Sequence, residues 1–345
     1  MNILCSIHLY PPQHLCGAEF MIHAINKHMK SKGHEVKVLL HQANHYKIES
    51  HYIYDDIDVF PPDDSICDNL FRWADVVFTH LDYTRWTIIR GAIYKKPVFH
   101  LIHNTHPYES IMDAEKPQYI IYNSEESKKL LNYKHDGFVL PPPVDWRDYE
   151  VEPGDGLTLI NLNENKGADI FYRLAEHFPN RRFIGVKGSY DEQLTGKILD
   201  VELIHMNGAE QHYRKVKKVD KTPPNVEIWE KQTDIKKAYR QTRILLMPSR
   251  YGSYGRTATE AMSSGIPVIC TATFGLVENC GQAGIYVQDR DNLNEWIDAI
   301  NKLDKKSEYD KASKKAKARA KEQEPGKKLD ELECWIREKR NQYKW

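Results

Sequence analysis

Short apolar runs alternate with longer amphipathic stretches along the whole chain, and that alternation predicts strands interleaved with helices. "NILCSI" reads as a strand, "AEFMIHAINKHMKSKG" continues with helical spacing and stops at Gly33, and "HEVKVLL" is the next strand. A glycine at a helix C-terminus supplies the left-handed turn that sends the chain back to the sheet, so these pieces predict a β-α-β unit. The runs "ADVVFTH", "KPVFHLI" and "PQYIIYNS" are apolar on both faces, as strands of a covered parallel sheet are.

"VLPPPVDWRDYEVEPGDG" breaks the rhythm. Consecutive prolines remove amide donors and glycines loosen the backbone, so an interdomain linker is predicted there. A second alternation follows: strands "LTLINL", "RRFIGVKG", "NVEIWE", "RILLMPS", "IPVICT" and "AGIYV", separated by helices "GADIFYRLAEHF", "DIKKAYRQT", "RTATEAMSSG" and "LNEWIDAINKL". Two doubly wound α/β domains are predicted, residues 1–145 and 146–325. The Lys- and Ala-rich stretch from about residue 305 reads as a solvated helix. Residues 326–345 read as an amphipathic helix that packs Leu332, Trp335 and Ile336 back toward the first domain.

Composition changes the picture little. With 345 residues and 41% hydrophobic content, the chain can bury two cores, and 49 basic against 49 acidic residues leave no global field for nucleic acid or anionic membrane. The first 150 residues nevertheless carry 15 Lys and Arg against 20 Asp and Glu, and hold thirteen of the sixteen histidines. The insert "EQHYRKVKKVDKTPPN" and the basic tail offer weak nucleic-acid contact; otherwise the insert is a solvated loop between two strands. Six scattered cysteines without a C-x-x-C pair predict neither a zinc site nor a disulfide framework, and fit a reducing compartment. The opening "MNILCSIHLY" has no basic leader, and no run reaches the roughly 20 apolar residues of a membrane span. A soluble cytoplasmic chain is expected.

The chemistry concentrates in "PSRYGSYGRTATEAMSSGIPV", residues 248–268. A buried strand runs into a glycine-containing loop and then a helix start, where free amides and the helix dipole favour an anion such as a diphosphate. Gly252 and Gly255 let the backbone approach a ligand, and Glu260, more than a turn into the helix, has its carboxylate free for sugar hydroxyls. "PPQHLCGAEF" places Gly17 at the first strand-to-helix turn, "NENKGADIF" places Lys166 after the first strand of the second half, and "FGLVENCG" adds Gly275 and Glu278.

Taken in order, these stretches resemble the retaining glycosyltransferases of family 4. "YPPQHLCGAEFMIHAINKHMKSKGHEVKVL" resembles the family's opening glycine turn, "PVFHLIHNTH" its strand ending in an active-site histidine, and "YIIYNSEESKKLL" and "VLPPPVD" its next landmarks. "NENKG", "NVEIW" and residues 248–269 resemble its donor-binding domain. The resemblance implies a GT-B fold: two facing Rossmann-like domains with an interdomain cleft, closing about the prolines at 141–143. It implies catalytic roles for His103, Lys166 and Glu260. It further implies donor contacts at Gly17, Gly188, Arg250, Gly252, Ser253, Tyr254, Gly255, Arg256, Thr257, Glu260, Gly275 and Glu278. Lys166 would offset the diphosphate charge, Glu260 would bind the nucleotide's ribose, and His103, rather than His106, would contact the donor sugar.

The implied reaction is transfer of a hexose or pentose from a nucleoside diphosphate sugar, UDP- or GDP-linked with the base undetermined, to an acceptor hydroxyl by front-face displacement. The implied cofactor and metal content is none. The acceptor is a soluble glycan, a protein or a modified DNA base, held mainly by the loops "HQANHYKIESHYIYDDIDVFPPDD" and "LDYTRWTIIRG". Three departures stand out. Gly252 replaces the first of the family's two glutamates, Asn161 replaces a common basic residue, and Cys16 replaces the first glycine of the opening turn. Phosphate compensation then falls on Lys166 with Arg250, Arg256 or Lys187. The alternatives are a GT-B-type nucleotide-sugar epimerase and a catalytically silent nucleotide-sugar-binding subunit.

Overall fold

The protein is described by a computed structural model covering residues 1–43, 47–205 and 212–344, with the backbone alone described at 202–205 and 212–219. It divides into two compact units, Met1–Pro143 with Pro325–Trp345, and Val144–Glu324.

The first unit runs β1 (Asn2–Ile7), α1 (Gly17–Ser31), β2 (Glu35–Leu40), β3 (Tyr52–Tyr54), β4 (Ile57–Phe60), α2 (Asp64–Trp73) and β5 (Val76–His80). It continues through α3 (Thr84–Tyr94), β6 (Val98–Ile102), α4 (Glu109–Met112), β7 (Tyr119–Tyr122), α5 (Glu125–Leu131) and β8 (Asp136–Val139). Its eight-stranded sheet has the order β3-β4-β2-β1-β5-β6-β7-β8 and is parallel except for β3 against β4. The chain leaves β1 toward β2 on one side, and β5 continues on the other. The carboxyl ends of β1 and β5 therefore flank a topological switch point.

The second unit runs α6 (Trp146–Tyr149), β9 (Gly156–Ile160), α7 (Ala168–His177), β10 (Phe183–Val186), β11 (Ile198–His205), β12 (His212–Val219), β13 (Val226–Trp229) and α8 (Lys236–Tyr239). Then come β14 (Thr242–Met247), α9 (Arg256–Ser263), β15 (Val268–Thr271), α10 (Phe274–Cys280), β16 (Ile285–Val287), α11 (Leu293–Lys302) and α12 (Lys306–Glu322). Its parallel sheet has the order β13-β10-β9-β14-β15-β16, with the switch point between β9 and β14. The last helix, α13 (Gly326–Gln342), belongs to the first unit.

Periodicity explains the cores. Met21, Ile22, Ile25 and Met29 lie on one face of α1 and meet Ile3, Cys5, Ile7, Val36 and Val38 from the strands. Leu329, Leu332 and Ile336 of α13 join the same core, and the Trp335 ring lies 5.6 Å from those of Phe99 and Phe138. Arg340 bonds Asp75 at 2.8 Å and Lys339 reaches Asp136 at 3.1 Å, fixing the helix register at its polar rim. In the second unit, Phe171, Leu174 and Ala175 of α7 cover Leu157, Leu159, Ile244 and Leu246. None of the six cysteines is in a disulfide. No described helix is long and apolar enough to cross a membrane.

Three segments depart from the sequence reading. The stretch expected to be an acceptor loop contains the antiparallel pair β3–β4, turned at Asp55 and Asp56, whose φ angles of 46° and 59° suit a tight hairpin. Residues 44–46 of that stretch lie outside the described residues. "LDYTRWTIIRG" is mostly the helix α3, which buries small residues, Thr84, Thr87 and Gly91, while Ile89 and Ile93 face outward. That inverted pattern hides it from hydrophobic periodicity. The basic insert is the second strand of the β11–β12 hairpin rather than a loop between sheet strands. Residues 206–211, and the basic side chains at 214–218 proposed for nucleic-acid contact, lie outside what is described.

Candidate functional site

The loops that follow β9 and β14 at the second unit's switch point are joined to each other. Arg250 N donates to Asn165 O at 2.9 Å. Gly167 sits at φ +94° against Pro248, and a Cβ there would lie 2.5 Å from the Pro248 carbonyl oxygen. Gly255, at φ +85°, opens α9 without any side-chain cap, so the helix presents its first amides and positive dipole end at this edge. Lys166 is half-buried on the neighbouring loop, its amide donating to Asn163 Oδ1 at 2.8 Å. Its ammonium has no ion-pair partner among the described residues. An uncapped helix start beside a cation is an arrangement suited to a phosphate.

Glu260 is not free, contrary to the sequence expectation. It is 5% exposed, and both carboxylate oxygens are engaged. The Tyr239 hydroxyl donates to Oε2 at 2.8 Å, Arg256 Nε donates to Oε1 at 2.7 Å, and Arg256 Nη2 donates to the Tyr149 hydroxyl at 2.8 Å. Burial works against the charge on Arg256, but Tyr149 and Glu260 outweigh it and raise its pKa. Burial and then the Glu260 carboxylate push the Tyr239 phenol well above its usual range. Each carboxylate oxygen keeps a second lone pair, so a ribose hydroxyl would meet an acceptor already oriented from below.

The other expected cations are also committed. Arg250 donates to Glu164 Oε1 at 2.9 Å and to Asp169 Oδ2 at 3.0 Å, while Arg290, bonded to the same Asp169, donates to Pro248 O at 2.8 Å. Arg250 therefore ties the two loops together. Lys187 pairs with Glu230 at 2.6 Å. Asn161, where the family carries a base, sits at φ +72° and accepts from Asn163 at 3.0 Å and Gln193 at 2.8 Å. Gly188 packs against it and donates its amide to Gln193 at 2.7 Å.

The remaining expected donor residues lie along the same edge. A Cβ at Gly252 would meet only Thr273 Oγ1, at 4.0 Å, whereas one at Gly275 would lie 2.5 Å from the backbone of Gly252 and Ser253. The Thr257 hydroxyl faces Met247 Sδ at 3.9 Å. Tyr254 is buried, its hydroxyl accepting from Gln323 at 2.9 Å. Glu278 is half-buried on α10, with its carbonyl accepting from Arg319 at 2.8 Å. Sequence reasoning missed its neighbour Asn279. That wholly buried amide donates to the carbonyls of Tyr254 and Gly255 at 3.2 and 2.9 Å and accepts from Thr259 at 2.9 Å. It holds the loop in the shape that exposes the helix start, and a lone amide beside a glutamate gave no signal of that.

The first unit's switch point is built from imidazoles. Gly17 begins α1, exposed, with nothing within 4 Å of where a Cβ would stand, after the extended Cys16. His103 follows β6 directly, while His106 is exposed. Sequence reading did not foresee what His103 touches: its Nε2 lies 3.1 Å from His80 Nδ1, His80 Nε2 lies 3.1 Å from His8 Nδ1, and His8 Nε2 lies 3.1 Å from Glu19 Oε1. Burial holds the His103 imidazole down to about 4, and burial with the neighbouring histidines pushes His80 well below its ordinary value. Burial alone would raise the Glu19 carboxyl, but the hydrogen bond and charge of His8, with His14, bring it below the usual range. In the all-neutral chain each ring donates from Nε2 toward Glu19, which leaves Nδ1 of His103 as that ring's acceptor.

Residues 190–305 match the family described as Glycosyl transferases group 1. A D-inositol 3-phosphate glycosyltransferase of Corynebacterium jeikeium (strain K411) is 39% identical over 67 residues, which span 19% of this chain and 16% of that protein. Sucrose-phosphate synthase from Thermosynechococcus elongatus superposes with a TM-score of 0.70 at 10% identity, covering 98% of this chain and 99% of that one. Anabaena HepE in complex with UDP-glucose superposes with a TM-score of 0.67 at 15% identity, covering 96% and 98%. Trehalose-6-phosphate synthase OtsA superposes at 0.68 with 10% identity, covering 98% of each chain. The chain thus has the GT-B fold and carries, over residues 190–305, the sequence signature of the group 1 glycosyl transferases.

Proposed function

We propose that the protein is a retaining glycosyltransferase that takes a UDP- or GDP-linked hexose or pentose and transfers it to an acceptor hydroxyl by front-face displacement. One observation carries the reading: the uncapped start of α9 follows a loop joined at the switch point to the one that carries Lys166, which has no ion-pair partner among the described residues. In this reading the amides at 254–256 and the Lys166 ammonium hold the diphosphate and stabilise the charge that develops on it as the sugar departs. The leaving phosphate oxygen takes the acceptor's proton, so neither a protein base nor a metal ion at the diphosphate is needed. Glu260, oriented by Arg256 and Tyr239, accepts from the ribose. His103 would contact the donor sugar, and the first unit would carry the acceptor, for which a soluble glycan, a protein or a modified DNA base is proposed.

The test is calorimetric titration of the full chain with nucleoside diphosphates and their sugars, wild type against Lys166→Met. One diphosphate series binds the wild type, and the variant loses at least about tenfold in affinity, one charge-assisted contact, with an unchanged unfolding temperature. Undiminished binding in the variant, or none in the wild type, rejects the site. Product analysis with the bound donor then separates transfer from isomerisation of the sugar.

A further inference from the structure

The absence of paired cysteines predicted no zinc site, yet the fold gathers five ligating side chains at one edge of the first unit. His8 comes from the end of β1, His80 from the end of β5, and Glu19 from the first turn of α1. One ligand atom of each lies within 4.8 Å of the others. His14, Cys16 and Glu19 form a second such group sharing the same carboxylate. Two of these separations are already short: His8 Nε2 lies 3.1 Å from Glu19 Oε1, and His14 Nε2 lies 3.9 Å from Glu19 Oε2. Bonds of about 2.0–2.3 Å in a tetrahedron set neighbouring ligands about 3.3–3.8 Å apart.

A second observation points the same way. Glu19 is 1% exposed, and its Oε2 has no hydrogen-bond partner. A buried carboxylate oxygen left without a donor is costly, and a cation would satisfy it. Two imidazoles and a carboxylate, with a third imidazole and a thiol in reach, form a donor set suited to zinc rather than to magnesium or calcium, which prefer oxygen.

We propose that the first unit binds one divalent transition-metal ion of the zinc class through His8, Glu19 and His80, with His14 and Cys16 at the rim. The ion would clamp the turn that carries Gly17 to the ends of β1 and β5. It would also reverse the imidazole chain. With the metal on His80 Nε2, the proton of that ring sits on Nδ1 and is donated to His103 Nε2, so His103 carries its own proton on Nδ1. The site therefore sets which face of His103 donates and which accepts. This inference stands on the cluster alone and does not rest on the transferase reading.

The experiment uses the full chain, stripped with a chelator and titrated with zinc by calorimetry and with cobalt(II) by visible absorption. The expected result is one equivalent of each metal, a higher unfolding temperature with zinc, and at least tenfold weaker binding in Glu19→Gln and in His8→Gln. Circular dichroism of the metal-free variants confirms that they fold. A folded wild type that takes up no zinc overturns the proposal, as does stoichiometric binding undiminished in both variants. Nucleotide binding is scored on the same samples, so loss of one reading is told apart from loss of the other.

Discussion

The two units place their switch points between parallel strands of their sheets, yet hold them in opposite ways. In the second unit the loops are fastened by packing and paired charge: Gly167 against Pro248, Arg250 bridging to Glu164 and Asp169, and Asn279 binding two carbonyls. In the first unit a Cβ at Gly17 would meet nothing within 4 Å, and the edge is a chain of imidazoles ending on one buried carboxylate. A diphosphate needs fixed dipoles and a cation, which favours the first arrangement. A sugar or a metal ion needs groups that can donate or accept, which favours the second. On the two proposals above, the same architecture would carry two chemistries through the residues at its strand ends.

The contrast can be broken in three ways. The largest effect is expected at Glu260→Ala. Removing a carboxylate that is paired inside the unit strands the buried Arg256 charge and costs about 3–5 kcal/mol, measured by denaturant unfolding. Replacing both Arg256 and Glu260 by methionine should cost less than the single change, because no charge is left alone. Next comes Gly167→Ala, expected to cost about 2–3 kcal/mol from its left-handed backbone and the overlap with Pro248. Gly17→Ala should stay within about 0.5 kcal/mol. Equal costs for the two glycines would remove the distinction between a packed and an open turn.

The smallest effect is pH-dependent. Burial holds His100 down to about 4, with a minor opposing hydrogen bond from Gln118, and burial with His8 does the same for His41. Below about 6.5 the unfolded chain takes up protons that these folded rings refuse. Stability is therefore full above that value and falls as pH drops toward 4, by up to about 2 kcal/mol at pH 5 for the fully buried His100. Hydrogen exchange, corrected for intrinsic rates, should show segments of the first unit losing protection at pH 5 before those of the second. Uniform loss across both units would count against the contrast.

Legibility in the sequence followed the strength of local patterns. The strands from "NILCSI" to "AGIYV" were readable because buried parallel strands are uninterrupted apolar runs, and α1, α7, α9 and α11 because one face of each is apolar. β3, β4 and β8 are three or four residues long in polar surroundings, and the β3–β4 turn uses two aspartates where glycine or asparagine would have signalled it. α3 escaped because it buries threonine and glycine and exposes isoleucine. At the candidate site, motif reading singled out Lys166 and the loop 252–257, but it did not show the partners that engage Glu260, Arg250 and Lys187. Tyr239, Glu164 and Glu230, which hold them, lie 21, 86 and 43 residues away along the chain; only Arg256, four residues from Glu260, was within local reach.

By itself the sequence determined the alternation of strands and helices, the glycine positions that let loops turn, and the order of the motifs, because each of these is set by neighbours within one or two turns of chain. Only the tertiary structure decided that His8, Glu19, His80 and His103 form one chain, and that Tyr239 reaches Glu260, whose other partner, Arg256, is its i,i+4 neighbour on α9. Strand order brings β5 beside β1 and β6 beside β5, so groups 72 and 23 residues apart come within 3.1 Å. The physical reason is that hydrogen bonds and coordination act over a few ångströms of space, and sequence spacing fixes that distance only inside a single element.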